Sequence, residues 1–297
     1  MLLNIKITGK NNIEHHMSNC KLITISHCRR VNVSVCGSGK EVILLLARKT
    51  SPFPVLEMKP LIYHLQEQFV VVALDYLGSG YSDDYHTKRT LDNLTNEIHE
   101  VMLSLGYTKY IIAAQSYAGL YSLYYANKYT DEVKAVVGID AFVAEQIENT
   151  EKNEMAKFYH DMWRDHNKSR ILQWSVKKAA AYYLSKAKNR LYTADDIKIY
   201  SNLAQHRLDE MNLFERYNCH QENFRKLRDV FFPSCISVLF ILSSYRCTKT
   251  HNWYNIHKRM LPNNSSKIVT INGKKNIHLT HAARISEEIL DFVSRLE

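Results

Sequence analysis

Six runs in this chain, EVILLLA (41 to 47), FVVVALD (69 to 75), YIIAAQ (110 to 115), VKAVVGID (133 to 140), SVLFIL (237 to 242) and KIVTI (267 to 271), are apolar almost without a break. Strands read this way when both faces of a sheet are covered, which is the condition of a parallel sheet in an α/β fold. Helical patterns separate most of them. The clearest opens at Thr90 as an N-cap, places Leu91, Leu94, Ile98, Val101, Met102 and Leu105 on one face, and stops at Gly106. VNVSV, followed by GSG, reads as the hairpin partner of EVILLLA, and a helix is expected around Pro60 to Gln68.

From about 142 to 232 the strand signals vanish, and EKNEMAKFYHDMWRDH, KKAAAYYLSKA and TADDIKIYSNLAQHRLDEM read as amphipathic helices. The expected architecture is α/β: a mainly parallel sheet flanked by helices, formed by residues 1 to 141 and 233 to 297, with a helical cap of residues 142 to 232 inserted after the sixth strand. Within that cap, Phe158, Tyr159, Trp163, Trp174, Tyr182 and Tyr183 are expected to pack, some of them lining an apolar acyl pocket.

Composition narrows the function classes. Hydrophobic residues make up 45% of the 297, with only 9 Gly and 5 Pro, so a packed globule is expected rather than a disordered or fibrous chain. The apolar runs are far shorter than the roughly 20 residues a membrane span needs, and the start turns polar after three residues. No membrane span is expected, and a cytoplasmic location is. The net charge is +9, and the first 50 residues hold eight Lys/Arg against two Glu. No nucleic-acid motif accompanies that charge, so it reads as a solvated surface and no nucleic-acid partner is expected. The six cysteines form no C-x-x-C pair and read as reduced thiols, while His15-His16 and His27-Cys28 lack a second spaced pair for a metal. GSGK is too short for a phosphate loop and sits between strands, so neither metal nor cofactor is expected.

One stretch carries chemistry. AQSYAG (114 to 119) puts Ser116 where a strand ends and a helix begins, between the small residues Ala114 and Ala118, with Gly119 next. A serine nucleophile at such a turn needs small neighbours because the backbone is strained and larger side chains would strike the sheet. The N–H groups of the helix starting at Tyr117 would face the oxygen of an attacked carbonyl.

Here the chain resembles the α/β-hydrolase superfamily over nearly its whole length. DYLGSGYSD (75 to 83) is similar to the D-x-x-G-x-G-x-S-D turn of those proteins, and SYAGLYSLYYANKYTDEVKAVVGID matches their elbow block. The resemblance implies a serine hydrolase with Ser116 as nucleophile and the Tyr117 N–H as one oxyanion donor. The second donor would come from Arg48 or Lys49, which stand where the family carries H-G or S-G. The family's histidine position falls on Lys275, with His278 three residues on as the candidate base and His281 as a poorer one. No carboxylate follows the seventh strand, which leaves Asp140 to orient the imidazole. Two functions follow: hydrolysis of a small apolar carboxylic ester without a cofactor, or binding of a small apolar ligand or partner by a catalytically impaired site.

Overall fold

In the computed structural model, residues 19–85, 87–143, 170–187, 191–209 and 219–296 are described. The strands are β1 (Cys20–Ile25), β2 (Arg29–Cys36), β3 (Glu41–Leu46), β4 (Phe69–Leu74), β5 (Tyr110–Gln115), β6 (Val133–Ile139), β7 (Ser237–Ser243) and β8 (Lys267–Ile271). The helices that position the site are α1 (Pro54–Glu57), α2 (Lys59–Leu65), α3 (Leu91–Ser104), α4 (Ala118–Lys128), α5 (Arg170–Leu184), α6 (Ala194–Asp209), α7 (His220–Leu227), α8 (Ser244–Lys249), α9 (Trp253–Arg259), α10 (Ile277–Thr280) and α11 (Ala282–Ser294).

All eight strands join one sheet in the order β1-β2-β4-β3-β5-β6-β7-β8. From β4 through β8 every pairing is parallel, whereas β2 runs antiparallel to both β1 and β4. The expected hairpin of β2 with β3 does not form, because β4 lies between them. Two glycines carry the chain across the start of β4. Gly37 has a φ of 84°, and a Cβ there would lie 2.2 Å from the Phe69 carbonyl; at Gly39 it would lie 1.9 Å from that of Gln68. Only a residue without a side chain passes that close to another backbone.

Alternation along the buried strands divides the core between the two faces. Tyr110, Ile112 and Ala114 of β5 join α3, α4 and α9 on one side, while Ile111 and Ala113 join α1, α2, α10 and α11 on the other. Helix α3 begins as expected, with the Thr90 hydroxyl accepting from Asn93 N at 3.3 Å. It buries Leu91, Leu94, Ile98, Val101 and Met102, at about 1.5–3 kcal/mol per side chain. Among the described residues, 142 to 232 contribute helices and no strand, and Leu184, Tyr192 and Tyr200 pack into the second core. Trp174 and Tyr182, expected to pack, are instead exposed; Phe158, Tyr159 and Trp163 lie outside the described residues.

The loop after β4 shows what its glycines serve. Fully buried Asp75 accepts from Asn32 Nδ2 (2.7 Å), Val55 N (2.9 Å) and Tyr81 N (3.1 Å), tying three segments together. Gly80 has a φ of 54°, and a Cβ on it would sit 1.9 Å from the Asp75 carboxylate. This turn is a brace.

Candidate active site

Open α/β sheets bind ligands beyond the carboxyl ends of their strands. Ser116 stands there, between β5 and α4, with a φ of 55° that a non-glycine residue rarely adopts. The turn is held from both sides: Ser116 N donates to the Ile139 carbonyl at 3.1 Å, and the Ser116 carbonyl accepts from Phe142 N at 2.8 Å. Ala114 and Ala118 are fully buried, and a Cβ at Gly119 would come within 2.6 Å of the Phe142 carbonyl. The serine itself is half-buried, and its hydroxyl makes no hydrogen bond among the described residues. Tyr117 caps α4, so the positive end of that helix faces the turn.

The second expected oxyanion donor is already engaged. The Arg48 N–H donates to Gln115 Oε1 at 3.1 Å. Its guanidinium turns toward Glu57, with Nε 3.0 Å from Oε1 and Nη2 3.3 Å from the Tyr200 hydroxyl, and it lies 4.4 Å from the centre of the Tyr183 ring. Glu57, fully buried at the end of α1, also accepts from the hydroxyls of Tyr183 (2.6 Å) and Tyr200 (2.7 Å). Burial alone would push this carboxyl up; the Arg48 charge, then hydrogen bonding from His278, overcome it and hold the group well below the usual carboxylate range.

His278 belongs to this cluster. Its Nε2 lies 3.1 Å from the Tyr183 hydroxyl and 3.4 Å from Glu57 Oε1, while Nδ1 is buried with no hydrogen-bond partner. No hydrogen bond joins the imidazole to Ser116 or to Asp140. Asp140 is not in hydrogen-bond contact with His278: one of its carboxylate oxygens is engaged by the strand ends, and the other, Oδ2, is buried without a hydrogen-bond partner. Oδ1 accepts from Ser243 N at 2.7 Å and Oδ2 lies 3.9 Å from Arg246 Nε, so the group braces the ends of β6 and β7. Burial raises its carboxyl, against the hydrogen bond from Ser243 and the charge of Arg246. Lys275 is exposed, its ammonium 5.6 Å from the Tyr245 ring centre, and His281 Nδ1 bonds the Thr280 hydroxyl at 2.8 Å. Sequence reasoning missed Glu57. Its signal was a lone carboxylate in the otherwise apolar run PFPVLEM, where a buried charge requires partners.

A family model for the alpha/beta hydrolase fold matches residues 55–282. The chain belongs to the α/β-hydrolase family. It is 28% identical over 119 residues to the uncharacterized protein YbdG of Bacillus subtilis, covering 40% of this chain and 37% of that protein. It is 32% identical over 110 residues to the 2-(acetamidomethylene)succinate hydrolase of Mesorhizobium japonicum, covering 37% and 38%. The matched stretches thus span under two-fifths of these relatives' lengths. Among solved structures, the epoxide hydrolase VrEH1 from Vigna radiata superposes with a TM-score of 0.72 at 17% identity, over 94% of this α/β hydrolase and 99% of that chain. A thermophilic esterase from Thermogutta terrifontis gives 0.67 at 13% identity, over 93% and 98%. At such identities the likeness is one of fold. Among the described residues no helix is long and apolar enough to cross a membrane, and no group of three or more His, Cys, Asp or Glu could hold a metal.

Proposed function

We propose that this α/β hydrolase is a serine hydrolase of small carboxylic esters. The observation that carries the reading is Ser116: a serine in the left-handed region at a strand-to-helix turn, its hydroxyl free of hydrogen bonds among the described residues. Its Oγ attacks the ester carbonyl, and the Tyr117 N–H at the head of α4 receives the oxygen as it becomes negative. His278 takes the serine proton on Nδ1, the nitrogen left without a partner. Glu57, rather than Asp140, holds the imidazole through Nε2 and balances its charge. The alcohol leaves with that proton, and water then cleaves the acyl-serine by the same base.

Fluorophosphonate labelling of the native protein tests this directly. Ser116 should be the serine that reacts, and labelling that persists in Ser116→Ala refutes the assignment.

A second reading has its own support. Arg48, Glu57, Tyr183, Tyr200 and the Nε2 side of His278 are engaged with one another, and the Arg48 N–H is spent on Gln115. A site closed in that way suits a protein that binds a small ligand or partner without turnover, and it forecasts neither labelling nor ester hydrolysis.

A further inference from the structure

Helix α5 and the turn that continues it carry two exposed aromatic residues on the side turned away from the core. Ala180, Tyr183, Leu184 and Ala187 pack inward at helical spacing, with Leu184 fully buried and the Tyr183 hydroxyl on Glu57. Trp174, Lys178, Tyr182 and Lys186 follow one another every four residues on the opposite side. They form a stripe about 18 Å long at a rise of about 1.5 Å per residue. Trp174 is 57% exposed and Tyr182 67%. Single apolar residues on a surface need no explanation, but rings aligned along one helix face mark a contact.

The lysines belong to the same surface. Lys178 Nζ sits 3.8 Å from the centre of the Trp174 ring and Lys186 Nζ 4.7 Å from that of Tyr182, so each ring carries an ammonium from the next turn. The charge extends beyond the stripe: between Asp165 and Asp195 the sequence holds seven Lys or Arg and no carboxylate side chain. A solvated helix face ordinarily mixes both signs, which pairs at i, i+4 reward. Here one sign is repeated, and its complement is an anionic partner.

Two such partners suit rings set among lysines: a single nucleic-acid strand, and a bilayer with acidic headgroups. They ask different things of the rings. A single strand stacks its bases on open ring faces, whereas here an ammonium occupies a face of each ring. A bilayer takes amphipathic rings at the headgroup level, with long basic side chains reaching the phosphates. The stripe supplies both in one line that can lie in the plane of the interface.

We propose that the outer face of α5 docks this protein on the surface of a bilayer containing acidic phospholipids, with Trp174 and Tyr182 in the headgroup layer and Lys178 and Lys186 against the phosphates. The contact is peripheral and requires no span. Tyr183 reaches Glu57 and His278 from the other side of the same helix, so docking sets the candidate site about one helix diameter, roughly 10 Å, from the lipid. The proposal makes no use of Ser116 and stands apart from the ester reading.

The test is cosedimentation of the full chain with vesicles of phosphatidylcholine alone and of phosphatidylcholine with an equal part of phosphatidylserine. The mixed vesicles should bind at least tenfold more tightly at low salt, and the advantage should shrink as salt screens it. Lys178→Gln with Lys186→Gln should cut binding to the mixed vesicles at least fivefold. So should Trp174→Ala with Tyr182→Ala, which leaves the charge unchanged. Equal binding to both vesicle types, no binding to either, or binding unchanged in either double variant, shown folded by urea unfolding, overturns the proposal. Position is read separately. Lipids brominated near the headgroup should quench tryptophan fluorescence, and most of that quenching should be lost in Trp174→Phe, which keeps a ring in place; quenching that persists there overturns the assignment to α5. Tighter binding to oligo-dT than to the mixed vesicles would give the face to nucleic acid and overturn the choice of lipid. None of these measurements requires turnover, so their outcome is independent of whether Ser116 acts.

Discussion

Glu57 Oε1 lies 3.4 Å from His278 Nε2, with both side chains shut away from solvent. The carboxylate that meets the imidazole comes from the end of α1, whereas Asp140 Oδ1 accepts from Ser243 N. On the reading of His278 as base, the carboxylate beside it precedes the nucleophile in the chain instead of following it.

Replacing each carboxylate in turn should separate the two. Asp140→Asn should leave ester hydrolysis within about threefold, because Oδ1 can still accept from Ser243 N. Glu57→Gln should lower it by a factor on the order of 10⁴, the loss seen when an imidazole is deprived of its orienting carboxylate. Rates on p-nitrophenyl acetate decide, and a larger loss in Asp140→Asn would return the role to Asp140.

The base can be located the same way. His278→Ala should lower hydrolysis at least a hundredfold, while Lys275→His should bring no gain, since Lys275 stands exposed beside Tyr245. Activity unchanged in His278→Ala and raised tenfold by Lys275→His would overturn both statements.

Stability should depend on Glu57 in one direction of pH. Its folded-state value lies below the ordinary 4.5, so its contribution is complete above that pH and is lost as pH falls further. Between pH 5 and pH 3, urea unfolding of the wild type should therefore lose more stability than that of Glu57→Gln. At pH 7, Glu57→Ala leaves half-buried Arg48 and the Tyr183 and Tyr200 hydroxyls without their acceptor and should cost about 3 kcal/mol. A loss under about 1 kcal/mol would show that the pair is dispensable.

Gly80 and Gly106 make a matched comparison. Both have positive φ, but a Cβ at Gly80 meets the Asp75 carboxylate, whereas one at Gly106 meets nothing within 4 Å. Gly106→Ala should cost about 1 kcal/mol from backbone conformation alone, and Gly80→Ala at least twice that because a buried carboxylate must also move. Equal losses in urea unfolding would mean that the brace yields freely.

Local pattern and long-range partnership were not equally legible. The runs at β4 to β8 could be read because burial on both faces leaves unbroken apolar sequence, and the turn at Ser116 because the small residues around it answer a steric demand. Pairing partners leave no such trace: VNVSV, GSG and EVILLLA look like a hairpin, and only the passage of Gly37 and Gly39 over β4 shows otherwise. The surroundings of His278 were hidden for the same reason. Glu57, Tyr183 and Tyr200 are distant in the chain and meet only when α5 and α6 pack on the core.

The insertion of β4 between β2 and β3 also sets an order of events during synthesis. As the chain leaves the ribosome, β1 and β2 can pair at once, but the inner edge of β2 stays bare until Phe69–Leu74 has emerged. For that interval the nascent chain carries an exposed strand edge with Val31, Val33 and Val35 beside it, a surface that invites pairing with a neighbouring chain. Slow translation between Cys36 and Phe69 would prolong the exposure, so the yield of folded protein should be more sensitive to codon choice there than in the stretch encoding α11.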